Sequence, residues 1–208
     1  MLTLKTKRRS SWGSKLLTIS GMAMFGGGLY LLSLVGAPVM MPIISMQPIN
    51  PEALASPVET GNRIVIPKIG VDIEYGKGEV ALDNGAQWRW PERGNPRDGG
   101  NFIIAAHRFT LAATPQQTVR LSPFYHIDKL NVGDQLIVDF ESKRYGYEIS
   151  KTFDVTPNQV EIEAPTTEDR LTLYSCGLGG ANDLRLVIYA EPLGEVSVES
   201  RGSGDHNS

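Results

Sequence analysis

The sequence contains a single cysteine, and that cysteine stands where an apolar, strand-like run ends. Cys176 closes the run "RLTLYSC" and is followed by the glycine-rich turn "GLGG". A lone cysteine is a small buried core residue, one half of an intermolecular disulfide, or a working nucleophile. The position of Cys176 at the end of a strand favours the nucleophile, because a thiol there is in contact with solvent and a substrate can reach it. We therefore expect thiol chemistry at Cys176.

A thiol needs help to ionise, either from a histidine or from a positive charge close by. Three histidines are present, and His107 is the candidate because it ends the apolar run "NFIIAAH". Its neighbours Ala105 and Ala106 leave room for a substrate to lie against the backbone. His126 falls in an irregular stretch, where a surface residue is expected, and His206 falls in a polar tail. His107 is therefore the predicted partner of the thiol.

An arginine is expected beside the cysteine. In "DLRLVIYAE", Arg185 alternates with Leu184 and Leu186, so its side chain lies on the opposite face of a strand from theirs. If the runs on either side of residues 177–182 form a hairpin, Arg185 lies near Cys176. A fixed cation in that position can stabilise the oxyanion of a tetrahedral intermediate or hold a substrate carbonyl. One acyl-transfer mechanism thus accounts for all three residues.

Short strands are predicted throughout residues 62–193, the part of the chain that must position these side chains. Period-two alternation and apolar β-branched runs indicate strands at residues 63–70, 101–107, 134–140, 145–155, 170–176 and 183–191. The proline in the first run suits an edge or a bend. A helical or irregular excursion is expected between residues 108 and 130, and the glycine-rich stretch 83–100 predicts a surface loop with its tryptophans over the barrel edge. Many short strands with few helices predict an all-β sandwich or closed barrel.

The N-terminal part of the sequence has the composition of a membrane anchor. Five basic residues and no acid lie in positions 1–15, and the next segment, Leu16–Val35, carries no charge. About twenty apolar residues at ~1.5 Å each cross a hydrocarbon core of ~30 Å. The sequence stays apolar to about residue 45, and the basic flank predicts a cytoplasmic N-terminus with the rest exported. A cleaved signal peptide is the alternative, but the site-like "ALAS" at 53–56 lies too far beyond an apolar run that is already too long.

The remaining segments and the overall composition argue against several functions. Proline-containing residues 46–61 predict a linker off the membrane, and the polar tail 194–208 is predicted to be disordered. A net charge of −3 argues against nucleic acid, which calls for a concentrated basic face. One cysteine and three scattered histidines predict no metal centre and no cofactor. Acids in residues 156–169 could suggest a calcium site, but acids on an exported loop are more often simply solvated, so no calcium is predicted.

The order of these motifs resembles that of the sortases, the membrane-anchored cysteine transpeptidases of the bacterial envelope. The resemblance extends over residues 63–193 and includes the N-terminal anchor. It rests on "NFIIAAHR", "GDQLIVDF", "YGYEI", "LTLYSC" and "LRLVIYA", in that order. Its most specific part is a histidine after a small-residue strand, then Thr-Leu-X-Thr-Cys, then an arginine on the next strand. Here that motif runs from Thr172 to Cys176, with Ser175 in place of the usual threonine, and the hydroxyl is kept.

The resemblance implies a closed eight-stranded β-barrel whose catalytic positions fall on His107, Cys176 and Arg185. It also implies cleavage of a sorting-signal peptide of the Leu-Pro-X-Thr-Gly kind through a thioester on the cysteine, followed by transfer to an amine. The implied partners are surface proteins or pilins that carry the sorting signal, and an amine acceptor such as a peptidoglycan precursor or a pilin lysine. The catalytic domain, residues 62–193, would lie outside the cell membrane of a Gram-positive bacterium.

Two alternative functions are weaker. An L,D-transpeptidase also places an exported cysteine on a β-rich fold, but it typically carries a His-Gly-Cys cluster with an arginine within a few residues. Here Tyr174 and Ser175 precede Cys176, and Arg185 lies nine positions on. A non-catalytic envelope scaffold with the same barrel is the other alternative, and loss of the nucleophile would be its mark. The presence of His107 together with the cysteine and the arginine favours the sortase-type enzyme.

Overall fold

The described part of the chain contains nine strands, three α-helices and five short 3-10 helices. The computed structural model describes residues 11–45, 49–59 and 61–196; the basic residues at positions 5–9 and the polar tail beyond residue 196 lie outside these ranges. The helices are α1 (Ser11–Ser45), α2 (Glu79–Asn84) and α3 (Pro115–Arg120). The strands are β1 (Arg63–Ile66), β2 (Val71–Lys77), β3 (Ala86–Arg89), β4 (Gly94–Asn95), β5 (Gly99–Ala105), β6 (Gln135–Phe140), β7 (Lys143–Val155), β8 (Arg170–Gly177) and β9 (Gly180–Glu195).

Eight of these strands close into a barrel. Their order is β3-β2-β1-β6-β7-β9-β8-β5, and an antiparallel pairing of β3 with β5, which sets Trp88 opposite Ile104, completes the circle. The pairs β2–β3 and β5–β8 are parallel, and the other barrel pairs are antiparallel. The two-residue β4 pairs with β5 alone and stays outside the ring. The predicted all-β, eight-stranded barrel is confirmed.

The barrel interior is filled by the inward-facing half of each strand. Successive side chains of a strand point to opposite faces, and in β8 Leu171 and Leu173 lie inside with no exposed surface. Trp88 meets Phe102 and Phe140 edge to face, with ring centroids 5.7 Å apart in each pair. This is the geometry that aromatic pairs favour. The packed core makes the strands rigid supports for the residues at their ends.

A smaller apolar cluster lies on the outer face of the barrel, where β5, β8 and β9 are neighbours. Its buried members are Ile103, Ala105, Val155, Ile162, Tyr174 and Val187. Ile162 belongs to a 3-10 helix, Val160–Glu163, in the connection from β7 to β8, so this connection covers the outer face. Tyr174 lies two residues before Cys176 in the same strand, so the cluster is adjacent to the predicted site.

The stretch 83–100 is not the surface loop that its composition predicts. It contains β3, the strand that closes the barrel, and Trp88 lies in the core with 5% of its surface exposed. Glycines and prolines on both sides hide a strand of four residues from the sequence pattern. In the run 63–70 the proline lies at a bend and not on an edge strand, because β1 pairs on both sides and Pro67 begins a 3-10 helix after it. β2 and α2 are further elements that the pattern does not predict.

Helix α1 is long and apolar enough to cross a membrane, with a candidate span of Trp12–Met40; this statement rests on its length and composition. Side chains from Trp12 to Ser33 are exposed, whereas Leu34, Ala37 and Pro38 are buried where the helix meets α3. The last part of α1 therefore packs on the barrel domain and the first part does not.

Candidate active site

Cys176 and Arg185 lie directly opposite each other on neighbouring strands. The predicted hairpin is present: β8 and β9 are antiparallel, and Cys176 and Arg185 are register partners next to its turn. The register then shifts between Cys176 and Gly177 before Gly177 pairs with Gly180. Cys176 is a free thiol and is partly exposed. The strand pairing thus holds a thiol and a guanidinium group on adjacent positions at the barrel rim.

The turn after Cys176 is closed by Asp183. Its carboxylate accepts the backbone N–H groups of Gly179, at 3.0 Å, and of Leu184, at 2.8 Å. These two hydrogen bonds lower the pKa of the Asp183 carboxyl group. A side chain at Gly177 would collide with the same carboxylate, which explains the glycine immediately after the cysteine. These contacts hold the turn that follows the thiol against Asp183.

His107 leaves the barrel at the same end as Cys176. The Ser175 hydroxyl donates to the Ala106 carbonyl at 2.9 Å, and the Ala106 N–H donates to the Tyr174 carbonyl at 3.4 Å. The residue before the histidine is therefore bonded to the residue before the cysteine. The parallel pairing of β5 with β8 ends just before this point. His107 and Cys176 thus emerge side by side from two neighbouring strands.

An aspartate on α2 faces the histidine. Asp83 Oδ1 lies 3.4 Å from His107 Nε2, and the aspartate side chain is largely exposed. The sequence pattern does not predict α2, so it gives no signal for this pair. A carboxylate at this distance can favour one orientation of the imidazole ring.

The Arg185 side chain has no hydrogen bond or ion pair within the ranges that the structure describes. Its Nε atom is buried without a partner, and its guanidinium carbon lies 5.7 Å from the ring centroid of Tyr174. A guanidinium group carries five N–H donors and is costly to leave unpaired when it is buried. The donors of Arg185 are therefore available to a ligand that reaches Cys176.

Glu163 is a buried carboxylate that binds Tyr174, the residue whose ring Arg185 contacts. It is the main feature of the site that the sequence pattern does not predict. It accepts hydrogen bonds from the Tyr174 hydroxyl and from Trp90 Nε1, the latter at 2.8 Å, and its Oε1 lies 3.1 Å from Arg89 Nε. Burial by itself would raise the pKa of Glu163, but the hydrogen bonds from Tyr174 and Trp90 and the charge of Arg89 outweigh it, so the pKa is lowered. Burial, followed by the bond to Glu163, raises the pKa of Tyr174. The charged carboxylate thus fixes the ring on which Arg185 lies.

The connection from β7 to β8 is fastened to the barrel around Glu163. Asn101 Nδ2 donates to the carbonyls of Ile162, at 3.0 Å, and Ala164, at 2.8 Å. Arg93 donates to the Glu163 carbonyl and lies over the Trp90 ring, with its guanidinium carbon 4.3 Å from the centroid. The connection is therefore a fixed wall beside the strand that carries Cys176.

His126 contacts helix α1 and is not part of the group formed by His107, Cys176 and Arg185. Its Nε2 is 3.0 Å from the Pro38 carbonyl of α1, and the residue is partly buried, so the expectation of a plain surface residue is wrong. Burial first, and then the charge of Lys129, lower the pKa of His126.

Within the described residues, no group of three His, Cys, Asp or Glu side chains could hold a metal ion.

The family model described as "Sortase domain" matches residues 64–193 of this chain. The chain belongs to the sortase family. Sortase SrtE1 of Streptomyces coelicolor is 26% identical over 157 residues, which cover 67% of this chain and 42% of that protein. Sortase A of Streptococcus agalactiae is 30% identical over 138 residues, which cover 65% of this chain and 53% of that protein. The chain therefore spans about half the length of the curated relatives it matches.

Solved structures of sortases share the fold. The Sortase D5 transpeptidase of Clostridium perfringens superposes with a TM-score of 0.53 at 28% identity and covers 64% of this chain and 79% of its own. The SrtA sortase of Actinomyces oris gives a TM-score of 0.53 at 27% identity, with coverage of 74% and 92%. These similarities agree with the resemblance drawn from the motifs.

Proposed function

We propose that this sortase is a membrane-anchored cysteine transpeptidase with Cys176 as nucleophile, His107 as general acid and base, and Arg185 as the cation that holds the oxyanion. The observation that carries the proposal is the register pairing of Cys176 with Arg185, beside a histidine whose strand is bonded to the same segment. No other thiol exists in the sequence. Substrate, roles and location are inferences from this arrangement and from the family.

In the first half-reaction the Cys176 thiolate attacks a backbone carbonyl carbon of the substrate peptide. A C–S bond forms, and the carbonyl electron pair moves to oxygen, where the unpaired donors of Arg185 stabilise the charge. The oxyanion then collapses and the C–N bond breaks. Protonated His107 gives its proton to the leaving amine, so that the acyl group remains on the thiol as a thioester.

In the second half-reaction an amine attacks the thioester. Neutral His107 takes the proton of the incoming amine, the new C–N bond forms, and the Cys176 thiolate leaves. His107 is then protonated again and the enzyme is ready for the next peptide. Two separate acyl transfers of this type give ping-pong kinetics.

The proposed substrate is a sorting-signal peptide of the Leu-Pro-X-Thr-Gly kind on a surface protein or pilin. The proposed acceptor is an amine of a cell-wall precursor or of a pilin lysine. Basic residues before an apolar helix favour a cytoplasmic N-terminus by the positive-inside rule, and the barrel would then lie outside the membrane. An anchored enzyme would then meet substrates that are themselves held at the membrane.

Single-turnover cleavage of a sorting-signal peptide by the full chain in detergent tests the proposal. We expect His107→Ala and Arg185→Ala to lower kcat/KM at least ~100-fold, with folding unchanged, because acid–base help is worth ~10²–10⁴ and an oxyanion donor ~10²–10³. His126→Ala is the matched control and should be close to wild type. If His126→Ala is inactive while His107→Ala is active, the assignment of the site is wrong.

A further inference from the structure

Helix α1 is longer than a bilayer is thick. Its 35 residues at ~1.5 Å each give about 52 Å, against a hydrocarbon core of ~30 Å. Its tryptophan, Trp12, and its tyrosine, Tyr30, are 18 positions apart, which corresponds to about 27 Å along the helix. Trp and Tyr are enriched at both interfaces of a membrane. The aromatic spacing therefore fits one bilayer crossing, with more than three helical turns left over.

Burial along α1 begins where this aromatic spacing ends. Side chains from Trp12 to Ser33 are exposed, as expected for a helix that faces lipid. Beyond them, Leu34 and Ala37 are 5% and 4% exposed, and Pro38 is buried as well. These positions are three and four residues apart and so share one face of the helix, which meets α3. We call Tyr30–Pro38 the docked stretch.

Hydrogen bonds fasten both ends of the docked stretch to the segment before β6. At one end the Tyr30 hydroxyl donates to the Ala113 carbonyl. At the other end His126 Nε2 lies 3.0 Å from the Pro38 carbonyl, which can only accept, so this nitrogen carries the proton. Three apolar residues between two hydrogen bonds form a defined interface.

The sequence of α1 explains why the Pro38 carbonyl is available. In an α-helix each carbonyl accepts from the N–H four residues later. The residue four positions after Pro38 is Pro42, which has no N–H. The Pro38 carbonyl therefore lacks its helical partner, and His126 supplies the missing donor. A histidine with no part in the proposed reaction thus has a specific function.

We propose that the membrane crossing of α1 ends near Tyr30 and that the rest of the helix is a stalk docked on α3 and His126. This stalk holds the barrel at a fixed height and orientation above the extracytoplasmic face of the membrane. The position of the membrane rests on the anchoring proposed above, whereas the docking rests on the contacts alone. The predicted linker would then not act as a free tether, because the helix is attached to the barrel before residues 46–61 begin. A barrel held in this way would reach peptide bonds at a set distance from the bilayer.

Spin-label accessibility in nanodiscs tests where the membrane ends. Cys176→Ala makes the full chain free of cysteine, so single labels can be placed at Met24, Val35 and Val39, all of which are exposed. We expect dissolved oxygen to relax the label at Met24, and a water-soluble nickel complex to relax the labels at Val35 and Val39. Protection of both valine labels from the nickel complex, with access for oxygen, would place them in lipid and overturn the proposed boundary.

Hydrogen exchange of the same nanodisc sample tests the docking. His126→Ala removes one hydrogen bond to α1, so it should speed amide exchange in residues 31–41 by up to about tenfold. Pro42→Ala returns an N–H to the helix, and in that background the same His126 change should have a much smaller effect. Arg120→Ala, an exposed change on α3, is the control. Unchanged exchange in His126→Ala would overturn the docking. Neither readout uses catalysis, so a failure of the proposed reaction would leave both results interpretable.

Discussion

Replacing Glu163 by alanine should destabilise the barrel strongly, because the change leaves three donors facing an empty buried site. The carboxylate is 6% exposed and serves the Tyr174 hydroxyl, Trp90 Nε1 and the Arg89 guanidinium group. Removing one partner of a buried ion pair costs ~3–5 kcal/mol, most of it for the charge left behind. We therefore expect Glu163→Ala to lower the free energy of unfolding by about 3–5 kcal/mol. Glu163→Gln keeps the shape and one acceptor and should cost about 1–3 kcal/mol.

The pH dependence of stability gives a second test of the same carboxylate. The pKa of Glu163 is lower in the folded chain than its ordinary value. Its contribution is therefore fully present above the ordinary glutamate pKa and is lost as the pH falls through the lowered folded value. Wild type should lose stability over that acidic range, and Glu163→Gln should lose less. Urea unfolding of the full chain in detergent, at neutral and acidic pH, measures both quantities. A loss below 1 kcal/mol in Glu163→Ala, or equal pH curves for wild type and Glu163→Gln, would refute the reasoning.

Three further predictions concern other contacts. The buried Arg144 guanidinium group donates two hydrogen bonds, of 2.7 and 2.8 Å, to the Asp139 carboxylate. Asp139→Ala leaves that charge buried without its partner and should lower the free energy of unfolding by ~3–5 kcal/mol in urea titrations. A change close to zero would contradict this. Ser175→Ala should lower kcat/KM and cost ~1–3 kcal/mol of stability by leaving the Ala106 carbonyl unpaired, whereas Ser175→Thr keeps the hydroxyl and should behave like wild type in both assays. Arg185→Lys should fall between wild type and Arg185→Ala in peptide cleavage, since lysine keeps the charge and loses the planar set of donors; full activity would show that charge alone suffices.

The strands near the C-terminus were predictable from sequence because each has room to show its alternation. β7 and β9 run for 13 and 16 residues, and apolar residues at every second position identify them. β3 has four residues between a glycine and a proline-rich turn, too few for periodicity to outweigh the turn signals. Its place in the barrel is decided by pairing with β5, a contact between distant parts of the chain.

The arrangement of the candidate site was predictable where its side chains lie at strand ends, and it was not predictable where contacts between distant parts of the chain form it. Cys176 and Arg185 are nine positions apart across one turn, so alternation and a hairpin suffice to pair them. Glu163 meets Trp90 across 73 positions, and in sequence it is one acid among several in a polar segment. The same holds for Asp83, whose contact with His107 depends on a short helix without a sequence signal. Local patterns identify the residues that are proposed to carry the chemistry, and tertiary packing determines which residues support them.

Intact-mass spectrometry of an acid-quenched reaction tests most directly whether Cys176 is the nucleophile. The full chain is mixed with a sorting-signal peptide without added amine and quenched within one turnover. We predict a mass increase equal to the acyl part of the peptide, its removal by hydroxylamine, and its absence in Cys176→Ala. Iodoacetamide should also alkylate the native wild-type thiol and prevent the mass increase. Peptide cleavage by Cys176→Ala at the wild-type rate, or alkylation of the thiol only after denaturation, would contradict the thioester mechanism.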